Sequence, residues 1–238
     1  MTDTTYGTRR TALVVGASRG IGLGLTERLL ERGWHVVATV RSATRTPLHD
    51  LAGGGVDGLT IETVDITEAD QVRALHERVA HATGLDLLLV NPGTAHDRWE
   101  TVADVTPATF ERVMLTNALG PMQFVERFQD LVRPTGTIAV MSSGQGSVAN
   151  NTRVTGWEIY RASKAALNQL MRSYAARHPD DPRTLLLTAP GWVRTEMGGA
   201  DAPLTVEAST RGVIDTIEAN AGHGGLQFLD QAGATVAW

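Results

Sequence analysis

Leu13-Val-Val-Gly16-Ala-Ser18-Arg19-Gly20-Ile21-Gly22 is the stretch that decides how this 238-residue chain folds. The apolar, β-branched run at 11–17 reads as a strand, and 21–32 carries the apolar period of a helix. Between them lie glycines at 16, 20 and 22. Glycine accepts left-handed backbone and lets a ligand approach closely, while a helix N-terminus presents unpaired amides and the positive end of a dipole. Such a turn suits a pyrophosphate, and its place at the first strand-to-helix junction gives weight to an otherwise common pattern.

Outward from this turn, short apolar runs alternate with segments of helical period. Strands are predicted at 35–40, 59–64, 85–90, 137–141, 185–188 and 226–229, and helices at 68–82, 107–131, 158–177 and 205–221. This alternation predicts one α/β domain over 1–238: a doubly wound Rossmann fold, with a parallel sheet of about seven strands and helices on both faces. Residues 1–10 are expected to be flexible. Gly33 reads as a helix stop, Thr67 as the N-cap of a helix beginning at Glu68, and Pro107 as a first-turn proline. Pro47 and Gly53-Gly54-Gly55 leave room in 41–58 only for a short or irregular helix.

A net charge of -5 argues against nucleic acid as the main partner, because affinity for a polyanion needs clustered cations. No stretch approaches the roughly 20 apolar residues of a membrane span, and the first ten residues lack the apolar core of a signal peptide, so a cytoplasmic location is expected. The absence of cysteine removes disulfides and thiolate chemistry. Lys164 is the one lysine among 21 basic residues. A lone ammonium in an arginine background points to a position where a tunable pKa matters.

NAD-selective sites usually place a carboxylate at the end of the second strand, but here that region reads Ala38-Thr39-Val40-Arg41-Ser42. Arg41 can instead pair with a 2′-phosphate, with Arg19 as a second cation, which favours NADPH over NADH. Asp65 and Ile66, past the third strand, are placed to touch the adenine. Tyr160 and Lys164 are four apart on a predicted helix, so both leave one face. An adjacent ammonium and the positive nicotinamide would favour the phenolate of a tyrosine whose reference pKa is near 10.

With these motifs together, the chain resembles the short-chain dehydrogenase/reductase family over nearly its whole length. The glycine motif matches Gly16, Gly20 and Gly22, and the Tyr-x-x-x-Lys motif matches Tyr160 and Lys164. The resemblance implies a catalytic serine after the fifth strand, Ser143 with Ser142 as the alternative, and a helix asparagine at Asn117 that holds a relay water near the lysine. It further implies cofactor contacts from Asn91, Gly93, Pro190, Gly191, Val193 and Thr195. The family's Asn-Asn-Ala-Gly appears as Val90-Asn91-Pro92-Gly93, and 17 positions separate Ser143 from Tyr160, more than members commonly show. The longer loop and the 190–199 segment are similar to the subgroup of C-factor and sniffer-type carbonyl reductases. What the resemblance implies is NADPH-dependent reduction of a small carbonyl compound, in a homodimer or homotetramer.

Other readings of the residues stay open. His76-Glu77 with His81 superficially suggests a zinc helix, but the histidines are five apart where the motif needs four, so no metal is expected. His96, Trp99, Trp157, Trp192 and Met197 are either substrate contacts or packing. An epimerase or dehydratase would need a separate substrate domain. A nucleotide-binding regulatory or signalling protein with little turnover is the alternative from another class.

Overall fold

The computed structural model describes residues 9–80 and 84–238. Seven strands, β1 (Thr11–Val15), β2 (His35–Val40), β3 (Leu59–Thr63), β4 (Leu85–Val90), β5 (Val132–Met141), β6 (Thr184–Ala189) and β7 (Gly225–Asp230), form one sheet in the order β3-β2-β1-β4-β5-β6-β7. Every neighbouring pair is parallel. The helices α1 (Gly20–Glu31), α2 (Pro47–Gly53), α3 (Ala69–Val79), α4 (Pro107–Met114), α5 (Gly120–Phe128), α6 (Glu158–Arg177) and α7 (Val206–Ala219) are the crossovers.

The two-residue period of the strands divides the core. Leu13 and Val15 of β1 face a cluster completed by α3, α5 and α6, whereas Ala12 and Val14 face one completed by α1 and α7. Both sheet faces are thus covered, as the doubly wound expectation requires. The winding reverses between β1 and β4, so a cleft opens beyond their carboxyl ends.

Several boundaries differ from expectation. The helix predicted over 107–131 is broken: Leu115–Leu119 form a π-helical turn, α5 follows, and Gln129–Leu131 close in a 3₁₀ turn. Pro121 accounts for the break, because it has no amide for the Asn117 carbonyl and its ring crowds that carbonyl. The fifth strand starts at Val132 rather than 137. Thr67 is not an N-cap. α3 begins at Ala69 with Glu68 before it, and Thr67 donates its hydroxyl to Asp65 at 2.7 Å instead. The predicted end of that helix at residue 82 lies outside the described residues, as does His81. Gly33 follows α1 in left-handed conformation, φ +76°, and Pro107 opens α4. Among the described residues, no helix is long and apolar enough to cross a membrane.

Candidate active site

The cleft at the switch point has a volume of about 1260 Å³. Its near wall is the glycine turn. Gly16 and Gly20 both have positive φ, +79° and +56°. The Gly16 amide donates to Thr39 Oγ1 at 3.0 Å, and Asn91 Nδ2 donates to the Gly16 carbonyl at 2.9 Å. Gly22 is needed for packing: a Cβ there would lie 2.0 Å from the Gly16 oxygen. Arg19, the N-cap residue of α1, makes no side-chain cap bond, and the first turn holds no acid. The first-turn amides therefore remain available to an anion.

The cofactor candidates divide on inspection. Gly16, Ser18, Arg19, Gly20 and Ile21 line the cleft, and so do Arg41, Asp65, Ile66, Asn91 and Gly93 across the strand ends. Pro190 and Thr195 line it from the loop after β6, whereas Gly22, Gly191 and Val193 are not on its wall. Val193 is buried, bridged to Leu204. Arg41 is exposed at the rim and has no ion pair among the described residues. Arg19, expected as a second free cation, pairs with Glu196 across the mouth. Glu196 was not foreseen, since its partner is 177 positions away in the chain. The Asp65 carboxylate accepts from the Thr67 amide and hydroxyl, so it rims the cleft as part of a turn. The Val90-Asn91-Pro92-Gly93 departure is accommodated, with the Pro92 ring packed on Gly16 while Asn91 keeps its bond to the turn. These uncapped amides, the close-packed glycines and a guanidinium where a ribose-binding acid would stand fit a 2′-phosphorylated dinucleotide.

The far wall gathers the predicted acid–base residues. Tyr160 and Lys164 line the cleft from α6, one turn apart. Lys164 is only 2% exposed, and its Nζ donates to the Met141 carbonyl at 2.9 Å. Burial lowers its ammonium to about 8. Burial also pushes the Tyr160 phenol above its usual range, opposed in part by the neighbouring Ser143 hydroxyl. Desolvation is the largest influence on the phenol, so burial by itself favours its neutral form.

Ser142 and Ser143 separate clearly. Ser142 reaches the cleft wall, but its Oγ is buried and donates to Asn168 Oδ1 at 2.6 Å, whereas Ser143, which is not on the wall, is half-buried beside the phenol. Asn117 is fully buried in the π-helical turn; its Oδ1 accepts from the Thr94 amide at 2.7 Å, and its Nδ2 donates to Thr94 O and Ser163 Oγ. A Cβ built at Gly93 would be 3.7 Å from both Asn117 Oδ1 and Lys164 Nζ, which places the three together. Sequence reading missed Ser163 and Asn168 as supports. Asn168 carried a signal, being one helical turn beyond Lys164 on the same face.

Of the residues left open between contact and packing, Trp157 and Met197 line the cleft. His96 is buried against Trp157, Trp192 Nε1 bonds Gly198 O at 2.7 Å, and exposed Trp99 lies under the Arg98 guanidinium. His76 Nε2 lies 3.0 Å from Asp130.

Comparison with known proteins agrees with this geometry. A short-chain dehydrogenase/reductase from Burkholderia multivorans, solved with bound NADP, is 50% identical and superposes with a TM-score of 0.94 over 97% of this chain and 100% of its own. A carbonyl reductase from Pseudomonas aeruginosa in complex with NADP is 37% identical, TM-score 0.89, over 97% and 100%. The C-signal protein of Myxococcus xanthus is 36% identical over 157 residues, 65% of this chain and 93% of its own length. The short chain dehydrogenase profile matches residues 10–203, and the chain belongs to that family.

Proposed function

We propose that the chain is an NADPH-dependent carbonyl reductase that converts a small aldehyde, ketone or quinone to the alcohol. The observation that carries the reading is that Tyr160, with the Ser143 hydroxyl beside its phenol, and Lys164 stand on one wall of a cleft whose other wall is an uncapped, acid-free glycine turn. When bound, the dinucleotide supplies the hydride. The first-turn amides of α1 would hold its diphosphate and Arg41 its 2′-phosphate.

Tyr160 gives its proton to the carbonyl oxygen as that oxygen gains charge. A phenol kept neutral by burial is the correct form for an acid in the reductive direction. Ser143 holds the same oxygen by a hydrogen bond. Lys164, charged below about pH 8, stabilises the phenolate left behind and binds the nicotinamide ribose. The Asn117 side chain is fixed on Thr94, and its backbone carbonyl, which Pro121 cannot bond, holds a water that returns a proton toward Lys164. Cytoplasmic residence and a homodimer or homotetramer complete the reading. Exposed Phe110, Leu119 and Leu170 on α4, the π-helical turn and α6 support the association.

Turnover of Tyr160→Phe tests the proposal. It should fall by about 10²–10⁴-fold with NADPH affinity within about twofold of wild type. Near-normal NADPH oxidation in that variant would remove Tyr160 as the acid. Tight NADPH binding with no turnover by the wild type on any aldehyde, ketone or quinone would favour a regulatory role.

A further inference from the structure

We propose that Trp157 determines specificity by selecting carbonyl compounds whose carbonyl carbon bears an aromatic ring, that is, aryl aldehydes and aryl ketones; this rests on the carbonyl-reductase reading above. Trp157 immediately precedes α6 with φ +63°, and among the described residues no other non-glycine residue has positive φ. A large side chain is disfavoured in that conformation and persists only where its surroundings enforce it.

The enforcement is visible. The Trp157 amide donates to the Arg98 carbonyl at 2.7 Å, and Arg98 Nε donates back to Thr155 O at 3.2 Å. Gly156 approaches so closely that a Cβ there would lie 2.3 Å from the same Arg98 oxygen. One residue into the helix, Glu158 accepts from the Val102 amide at 2.9 Å. Against the indole, His96 is 7% exposed, neither ring nitrogen has a hydrogen-bond partner among the described residues, and its ring meets Trp157 edge-on at 5.9 Å. A strained backbone and an unpaired buried imidazole are both unfavourable, and both converge on the orientation of one indole. Local rules broken twice at one spot mark function more often than packing.

The indole is not itself buried. It is half-exposed and lines the cleft, with its ring centroid 6.2 Å from that of Tyr160. A carbonyl oxygen on the phenol puts the nearest substituent of the carbonyl carbon beside the indole. Aromatic rings pair with such a surface by offset or edge geometry, which a saturated ring of the same size cannot match. Met197, on the opposite loop, adds a polarizable apolar contact at the same mouth.

Benzaldehyde and cyclohexanecarbaldehyde present the same carbonyl on rings of similar size, and NADPH-dependent reduction of both by wild type, Trp157→Phe and Trp157→Leu separates the possibilities. Both variants keep a bulky residue in the left-handed backbone and differ in the π face. Trp157→Leu should lower kcat/KM for benzaldehyde about three- to tenfold, mainly through KM, while cyclohexanecarbaldehyde changes by less than about twofold. Trp157→Phe should retain most of the benzaldehyde rate, and NADPH affinity measured by cofactor fluorescence should be unchanged in both. Equal losses on the two aldehydes, equal losses in Phe and Leu, or no loss would overturn the inference and leave the reductase reading standing. A wild type that binds NADPH but reduces neither aldehyde would overturn both.

Discussion

The two walls of the cleft are built in opposite ways. The glycine turn of the cofactor wall is one contiguous run, Gly16 to Ile21, pinned by Thr39 of β2 and by Asn91 just past β4, and its geometry follows from local backbone rules. The carbonyl wall is assembled from α6 and three loops, 94–106, 142–157 and 190–203, and its groups are set by contacts between segments distant in sequence. Lys164 reaches back to Met141, Ser142 to Asn168, and Trp157 to Arg98. A ligand shared by many proteins can be held by a local motif, whereas the group that chooses a substrate must be placed by tertiary contacts.

A pair of glycine substitutions can break this contrast. Gly22→Ala drives a Cβ to 2.0 Å from the Gly16 oxygen, so α1 must move off the glycine turn. NADPH affinity should fall about 30–100-fold, with a stability loss of about 1–3 kcal/mol, measured by cofactor titration and thermal unfolding. Gly156→Ala meets the Arg98 carbonyl at 2.3 Å on the other wall. It should raise aldehyde KM about tenfold while leaving NADPH affinity within about twofold. If both variants lose cofactor and substrate alike, the two walls are not independent.

Arg41→Ala sharpens the same division within the cofactor wall. Loss of a charge-assisted phosphate contact should weaken NADPH about tenfold or more and leave NADH nearly unchanged. Equal weakening of both cofactors would remove the phosphate assignment. Arg19, engaged by Glu196, should give a smaller NADPH effect than Arg41 in the same titration.

A further effect concerns pH and Lys164. Its ammonium is charged below about 8 in the folded chain and below its ordinary 10.5 in the unfolded one. At pH 7 the fold therefore bears the cost of a buried cation, and that cost fades as pH rises from about 8 toward 10.5. Lys164→Met should raise stability at pH 7 by about 2 kcal/mol, roughly 4–8 °C in Tm, and the gain should shrink above pH 8. Reductive turnover of the wild type should decline over the same range as the ammonium is lost. A gain in Tm that does not vary with pH would show that packing, not charge, is responsible.

Much of this was legible in the sequence for physical reasons. Strand and helix periods reflect burial on one face, so seven strands and most helices could be read from residue type alone. The glycine turn and the Tyr160/Lys164 pair are local patterns whose spacing implies geometry. The break at Leu115–Leu119 was missed because apolar period is blind to the backbone donor that Pro121 lacks. The choice of Ser143 over Ser142 was left open because adjacent residues differ only in which way the chain turns them. Asn168, 26 positions from Ser142, engages the Ser142 hydroxyl and leaves the Ser143 hydroxyl beside Tyr160.

By itself, then, the sequence determined the parallel sheet, the glycine turn and the placement of Tyr160 and Lys164 one turn apart on a helix, because each depends on residues within a few positions of one another. Only the tertiary structure decided that the phenol is desolvated, that Arg19 is engaged by Glu196, and that Trp157 is forced to face the cleft. Desolvation, ion pairing and backbone strain depend on what packs alongside, and the neighbours responsible come from elsewhere in the chain.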